Sequence, residues 1–292
     1  MRPSLLFSKT RSALQSALLA ALLATLLPHP AARAEIIPLS KLQCEKMRIA
    51  HVLSKDNPVP CSRLATVRFD YMDFNGAARS GGSLVVLDAV APQVEALFGE
   101  LLLRSTPIQQ ALPLEDFNGD DEKSMAANNT SAFNGRPMTG GGSWSKHAYG
   151  VAIDINPLQN PYVSKSKSGV TQVLPAASSP RYLQRAASAS QPGMAEDVVG
   201  AFYDHGFLIW GGNWKQPIDY QHFEIGSRDF IRTLVKLPPQ QATREFERYV
   251  AGYRSCMQQA QHANTATDND EEKDDAPENA ALRESCAARS RK

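Results

Sequence analysis

One aspartate, Asp154, lies inside the apolar run Val151–Ile155, and a histidine, His147, precedes it across the glycine Gly150. An ionised carboxylate buried in such a run carries a large desolvation cost unless a cation or hydrogen-bond donors offset it. Whatever the chain folds into must bring compensating groups to Asp154. Backbone N–H groups at a strand end would do this, and so would a metal ion.

A second informative cluster is Asp219-Tyr220-Gln221-His222-Phe223-Glu224. Catalytic zinc takes three nitrogen or carboxylate ligands and leaves a fourth position to water, and His147, Asp154 and His222 supply such a set. Gly150 lets the chain bend back between the first two, while His222 has to arrive from a neighbouring strand. Alternation along Tyr220–Ile225 places Tyr220, His222 and Glu224 on one face, so Asp219 belongs at the strand mouth or in a bulge. That is the place of a general base beside a metal rather than of a ligand. The plainer alternatives are a turn or cap role for Asp219 after Pro217 and a half-buried strand histidine at 222. Arg136, in the short run Ser131–Arg136 ahead of Gly140-Gly141-Gly142, is a candidate to hold a tetrahedral oxyanion.

The chain of 292 residues opens with Arg2, Lys9 and Arg11, the apolar run Ala17–Leu27, and Ala32-Arg33-Ala34. This pattern predicts a secretory signal over residues 1–34, since a largely apolar run of eleven residues falls short of the roughly 20 that span a bilayer. Its removal takes four basic residues and no acidic one, moving the formal net charge from +1 to −3. A basic nucleic-acid-binding groove is not expected on such a chain. No later stretch is apolar enough to cross a membrane. The four cysteines contain no C-x-x-C pair, and export predicts two disulfides, with Cys44–Cys61 and Cys256–Cys286 the shortest of the three connectivities.

Arg63–Met72 and Ser83–Asp88, separated by Asn75-Gly76 and Gly81-Gly82, read as a hairpin or meander. A helix follows, with its apolar stripe at Val90, Val94, Leu97, Phe98, Leu101 and Leu102. Short strands are predicted at Ser131–Arg136, Val151–Ile155, Phe207–Trp210 and Tyr220–Ile225. Helices are predicted at Glu196–Asp204 and along the stripe Ala242, Phe246, Tyr249, Val250, Tyr253 and Met257. Pro157–Pro192 shows no periodicity and reads as a functional loop or a disordered insert bordering the site. Asp268–Glu278, with seven acidic residues, reads as a solvated linker. The division is therefore a signal over 1–34, a domain over 35–262 with an N-terminal extension and a C-terminal helix, and an acidic tail over 263–292 ending beyond Cys286.

The combined pattern Ser145-x-His147-x-x-Gly150-x-Ala152-x-Asp154, then Asp219-x-x-His222, resembles the zinc D-alanyl-D-alanine peptidases of the VanX and VanY type and the related L-alanyl-D-glutamate endopeptidases. Asn129–Arg136, Asn156-Pro157-x-x-Asn160-Pro161-Tyr162 and Trp210-Gly211-Gly212-x-Trp214 are similar to the endopeptidase-like branch, and the resemblance covers about residues 65 to 235. It implies a small α+β domain of the Hedgehog/DD-peptidase type, an antiparallel sheet with flanking helices. It further implies zinc (Zn2+) on His147, Asp154 and His222, Asp219 as catalytic acid/base, Arg136 as transition-state stabiliser and Ser145 as a substrate contact. The implied substrate is a peptidoglycan stem peptide, met in the periplasm or outside the cell. Many relatives carry Glu where Asp219 stands, and Asp is what some L-alanyl-D-glutamate endopeptidases show.

Three other readings compete. Ser143-x-x-Lys146 matches a serine-peptidase nucleophile motif but lacks its S-D-N and K-T-G companions. Asp116–Asp120 opens like a calcium loop, then places Asp121 where glycine is needed and Ala127 where glutamate is needed. A zinc module that binds wall peptide or a protein partner without hydrolysis needs the three ligands but neither Asp219 nor Arg136.

Overall fold

The computed structural model describes residues 34–138, 141–186, 190–265 and 277–291. The predicted signal segment lies outside the described residues, apart from its last position. The strands are β1 (Glu35–Pro38), β2 (Leu64–Met72), β3 (Ala78–Leu87), β4 (Gln110–Ala111), β5 (Asn129–Thr130), β6 (Ala152–Asp154), β7 (Tyr162–Lys165), β8 (Thr171–Leu174), β9 (Ile209–Trp210), β10 (Ile218–Asp219) and β11 (His222–Glu224). The helices are α1 (Lys41–Ile49), α2 (Ala91–Leu103), α3 (Asp121–Ala126), α4 (Val199–Asp204), α5 (Arg228–Lys236), α6 (Pro239–Thr265) and α7 (Pro277–Ser290). This is an α+β fold of small antiparallel sheets with flanking helices, as the sequence predicts.

The largest sheet has the order β1-β2-β3, all antiparallel. The β2–β3 hairpin turns at Asp73–Ala77, where Asp73 Oδ1 accepts the N–H groups of Asn75 and Ala77. Gly81 and Gly82, expected to punctuate the chain before the second strand, instead lie within β3. A Cβ on Gly82 would meet the Phe69 ring at 2.6 Å, so the missing side chain makes room for that ring. Phe69 in turn stacks on Phe98 of α2 with centroids 4.0 Å apart. Val90, Val94, Leu97, Phe98 and Leu101 are all buried, which confirms the predicted stripe.

Asp154 and His222 sit on a second sheet, β6-β11-β9, which is linked to the first through the Leu87 N–H, donated to Gly150 O at 2.9 Å. A third, β10-β7-β8, takes two of its strands, β7 and β8, from the proline-rich stretch 157–192. That stretch is therefore not a featureless loop over its described residues. Arg185 anchors it, donating to Asn160 Oδ1 and to Glu196, and Asn160 donates to Ile155 O. Buried amides that satisfy loop backbone groups do the work that sequence periodicity cannot announce. Ser131–Arg136 also departs from expectation. Ladder pairing stops at Ser131, bridged to Asp154, because the following residues bond to loops: Asn134 N–H to His147 O and Ser145 N–H to Arg136 O.

Ala242, Phe246, Tyr249, Val250, Tyr253 and Met257 of α6 are buried as predicted. Beyond the expected solvated linker the tail forms the helix α7, and its Cys286 is buried in the expected disulfide with Cys256. The second bridge, Cys44–Cys61, ties α1 to the start of β2. Closing a loop of 30 residues stabilises a fold by about 3–4 kcal/mol on the chain-entropy account. The double replacement Cys256→Ser with Cys286→Ser should lower the urea midpoint accordingly. An unchanged midpoint would show that docking of α7 contributes nothing to stability. Among the described residues no helix is long and apolar enough to cross a membrane.

Candidate metal centre

His147 stands on a short 3-10 turn, Lys146–Tyr149, capped by Ser145, whose Oγ accepts the His147 N–H at 3.3 Å. Gly150 ends that turn with φ +67°, in the left-handed region. A Cβ there would lie 2.6 Å from Leu87 N, so both the conformation and the close approach to β3 require glycine. The chain reverses at this point into β6, which ends on Asp154. In the antiparallel register of β6 and β11, His222 lies directly opposite Asp154. Directly opposed residues project from the same face of a sheet.

These placements converge. One ligand atom from each of His147, Asp154 and His222 lies within 4.8 Å of the others, and all three residues are buried. His147 Nε2 is 3.0 Å from His222 Nδ1 and 3.3 Å from Asp154 Oδ2, and His222 Nδ1 is 3.0 Å from Asp154 Oδ1. The outward-facing ring nitrogens are also engaged. His147 Nδ1 lies 2.5 Å from Ala132 O, and a carbonyl can only accept, so the proton sits on Nδ1 and the Nε2 lone pair faces the centre. His222 Nε2 lies 3.0 Å from Glu224 Oε2.

The electrostatics call for positive charge. Burial raises the pKa of Asp154, but His147 and His222 outweigh it and hold the carboxyl below its ordinary value. Burial works against a charged His222, yet hydrogen bonds and charges from Asp154 and Glu224 raise it to about 10. Two imidazole nitrogens and a carboxylate, converging in a pocket that favours a cation, fit the donor set of zinc.

Asp219 lies on β10, in the third sheet, where it pairs with Tyr162 of β7. The expectation of a residue at the mouth of the same strand as His222 is refined. Tyr220 and Gln221 form a turn between two sheets, so Asp219 and His222 belong to separate ladders. The charges of Asp154, His222 and His147 all act on Asp219, and its Oδ1 is shielded from water with no hydrogen-bond partner. Burial, with the charge of Asp154 added, raises its carboxyl to about 7. The Trp210-Gly211-Gly212 segment packs against it. A Cβ on Gly211 would fall 2.4 Å from Asp219 O, which accounts for glycine at that position. The ring of Trp214 lies 5.4 Å from that of His222.

Arg136 is joined to Ser145 through its backbone, but its guanidinium is directed elsewhere, to Asp121 Oδ2 at 2.9 Å. Both partners of that pair are about a third exposed. Such a pair is worth about 0–1 kcal/mol, so it yields at little cost to a better anion.

Two residues outside the predicted set complete the surroundings. Lys146 is buried, and its Nζ donates to Glu224 Oε1 at 2.8 Å, Ile225 O at 3.0 Å and Gly226 O at 2.7 Å. All three ammonium protons are therefore used, and Lys146 has none left for the role of a serine-peptidase lysine. The signal for Glu224 was its place two residues after His222, on the same strand face. Lys146 carried no signal beyond its position next to a ligand.

Residues 139–225 match the sequence model of a family described as D-alanyl-D-alanine carboxypeptidase. No curated protein and no solved structure matches the chain.

Proposed function

We propose that the protein is an exported zinc peptidase that hydrolyses amide bonds of peptidoglycan stem peptides, of the L-alanyl-D-glutamate or D-alanyl-D-alanine type, a reading supported by the match of residues 139–225 to the D-alanyl-D-alanine carboxypeptidase family model. The observation that carries this reading is the convergence of His147, Asp154 and His222 within 4.8 Å of one another, together with the half-buried Asp219, whose Oδ1 is shielded from water and unpartnered.

In this reading His147 Nε2, His222 Nδ1 and one oxygen of Asp154 hold the ion. Bound zinc supplies Lewis acidity, polarising the scissile carbonyl and bringing the ionisation of a water to about pH 7. The Asp219 carboxylate accepts a proton from the attacking water at Oδ1, then returns it to the leaving amine nitrogen. Burial favours the neutral form of Asp219 and so helps it keep a proton between the two transfers. Arg136 leaves Asp121 and donates to the developing oxyanion. Ser145 Oγ, already accepting from the His147 backbone, keeps its own proton to donate to the substrate. The retention of Asp219 and Arg136 favours hydrolysis over peptide binding alone.

Incubating purified protein with muropeptides and following the products by mass spectrometry tests this directly. New fragments that vanish with a chelator and return with zinc are expected, and their masses identify the bond. Intact muropeptides after incubation with zinc-loaded protein would reject the assignment.

A further inference from the structure

The three converging atoms account for how an ion is gripped, but not for why His222 presents Nδ1. A free imidazole can carry its proton on either nitrogen, and only the nitrogen without it can bind a metal. At His147 the choice is made by the Ala132 carbonyl. At His222 the group beyond the ring is a carboxylate, Glu224, whose two oxygens have different partners. Oε2 lies 3.0 Å from His222 Nε2, and Oε1 accepts from Lys146 Nζ at 2.8 Å. Lys146 is itself fixed by the carbonyls of Ile225 and Gly226. The chain of contacts thus runs from the backbone after β11, through an ammonium and a carboxylate, to the far side of the metal-facing ring.

We propose that Glu224, clamped by Lys146, is the positioning residue that keeps the His222 proton on Nε2 and turns the Nδ1 lone pair toward His147 and Asp154. The proposal rests on the reading that these three residues hold a zinc ion. Asp154 Oδ1 also lies 3.0 Å from Nδ1, so Glu224 would decide the tautomer once an ion engages Asp154. An ionised carboxylate can only accept, so its bond to Nε2 keeps the proton there, and Lys146 stops the carboxylate from swinging away. Lys146 immediately precedes His147 and Glu224 follows His222 by two. The pair therefore also ties together the two segments that carry the histidines. Outer partners of this kind typically contribute 10–100-fold to metal affinity.

The test uses the full-length protein with zinc as the probe, its affinity measured by competition with a chelating dye. Nitrogen-detected NMR of the histidine rings in the zinc-loaded protein reports the tautomers. In wild type the His222 proton is expected on Nε2. Glu224→Ala is expected to bind zinc about 10–100-fold more weakly, and Glu224→Gln, which keeps an acceptor oxygen, to recover most of the loss. A purely structural role for Glu224 would lower the thermal midpoint of the metal-free protein and leave the zinc affinity of the folded protein unchanged, which would overturn the proposal. So would a proton on Nδ1 of His222 in the wild type, a result that decides the matter even if neither variant folds. Wild-type protein that takes up no zinc would instead sink the metal-centre reading itself, and this proposal with it.

Discussion

Asp219→Ala is expected to lower hydrolysis of stem peptides by about 10²–10⁴-fold, the usual contribution of a general acid/base, while zinc stays bound. The two halves of that outcome have separate causes. In the proposed reading the ion would be held by His147, Asp154 and His222, whose ligand atoms lie within 4.8 Å of one another without Asp219. Asp219 reaches them from another sheet and affects them through its charge. Deleting its carboxylate also removes a negative charge next to Asp154, so nothing in the ion's cage is left uncompensated. Asp219→Asn should give a similar loss with the packing against Gly211 preserved. Steady-state rates alongside metal analysis check both halves. Residual activity above a few per cent would remove Asp219 from the mechanism.

The second large effect is on metal retention. His222→Ala leaves one imidazole and one carboxylate, and the fall in zinc affinity should exceed the roughly 100-fold that loss of an outer partner costs. Thermal unfolding makes this visible without any activity. An ion that binds only the folded state stabilises it by about 4 kcal/mol at a free concentration 1,000 times Kd. Added zinc should therefore raise the midpoint of the wild type and leave that of His222→Ala unmoved at the same concentration. The variant should still fold, because neither disulfide and neither the α2 nor the α6 stripe includes His222. Full zinc occupancy in His222→Ala would mean the ligand set has been misidentified.

Much of this centre was legible in the sequence because its chemistry conflicts with its surroundings. Asp154 in an apolar run demands partners, and only a few histidines were available to supply them. The helices were legible for a different reason. The stripes of α2 and α6 repeat at helical spacing over enough residues for the period to stand out. The elements that escaped notice are short or depend on distant contacts. Strands β7, β8 and β10 have two to four residues each, and amide side chains such as Asn160 fix the stretch that carries the first two. Helix α7 sits beyond an acidic run that masks it, and it docks through a disulfide rather than a strong apolar stripe. The direction of the Arg136 side chain was equally hidden, because its partner Asp121 lies fifteen positions upstream, outside the strand-like run used to judge it.

The division of labour between two ladders has an evolutionary corollary. In the proposed reading the proton carrier Asp219 pairs with the β7–β8 hairpin, whereas the ion cage would draw on β6, β11 and the turn before β6 that carries His147, and Tyr220 and Gln221 separate β10 from β11. Insertions or substitutions in the hairpin can shift the carboxylate relative to an incoming peptide without loosening the grip on the ion. A lineage built on this plan can retune which bond it presents for attack while its inorganic chemistry stays constant.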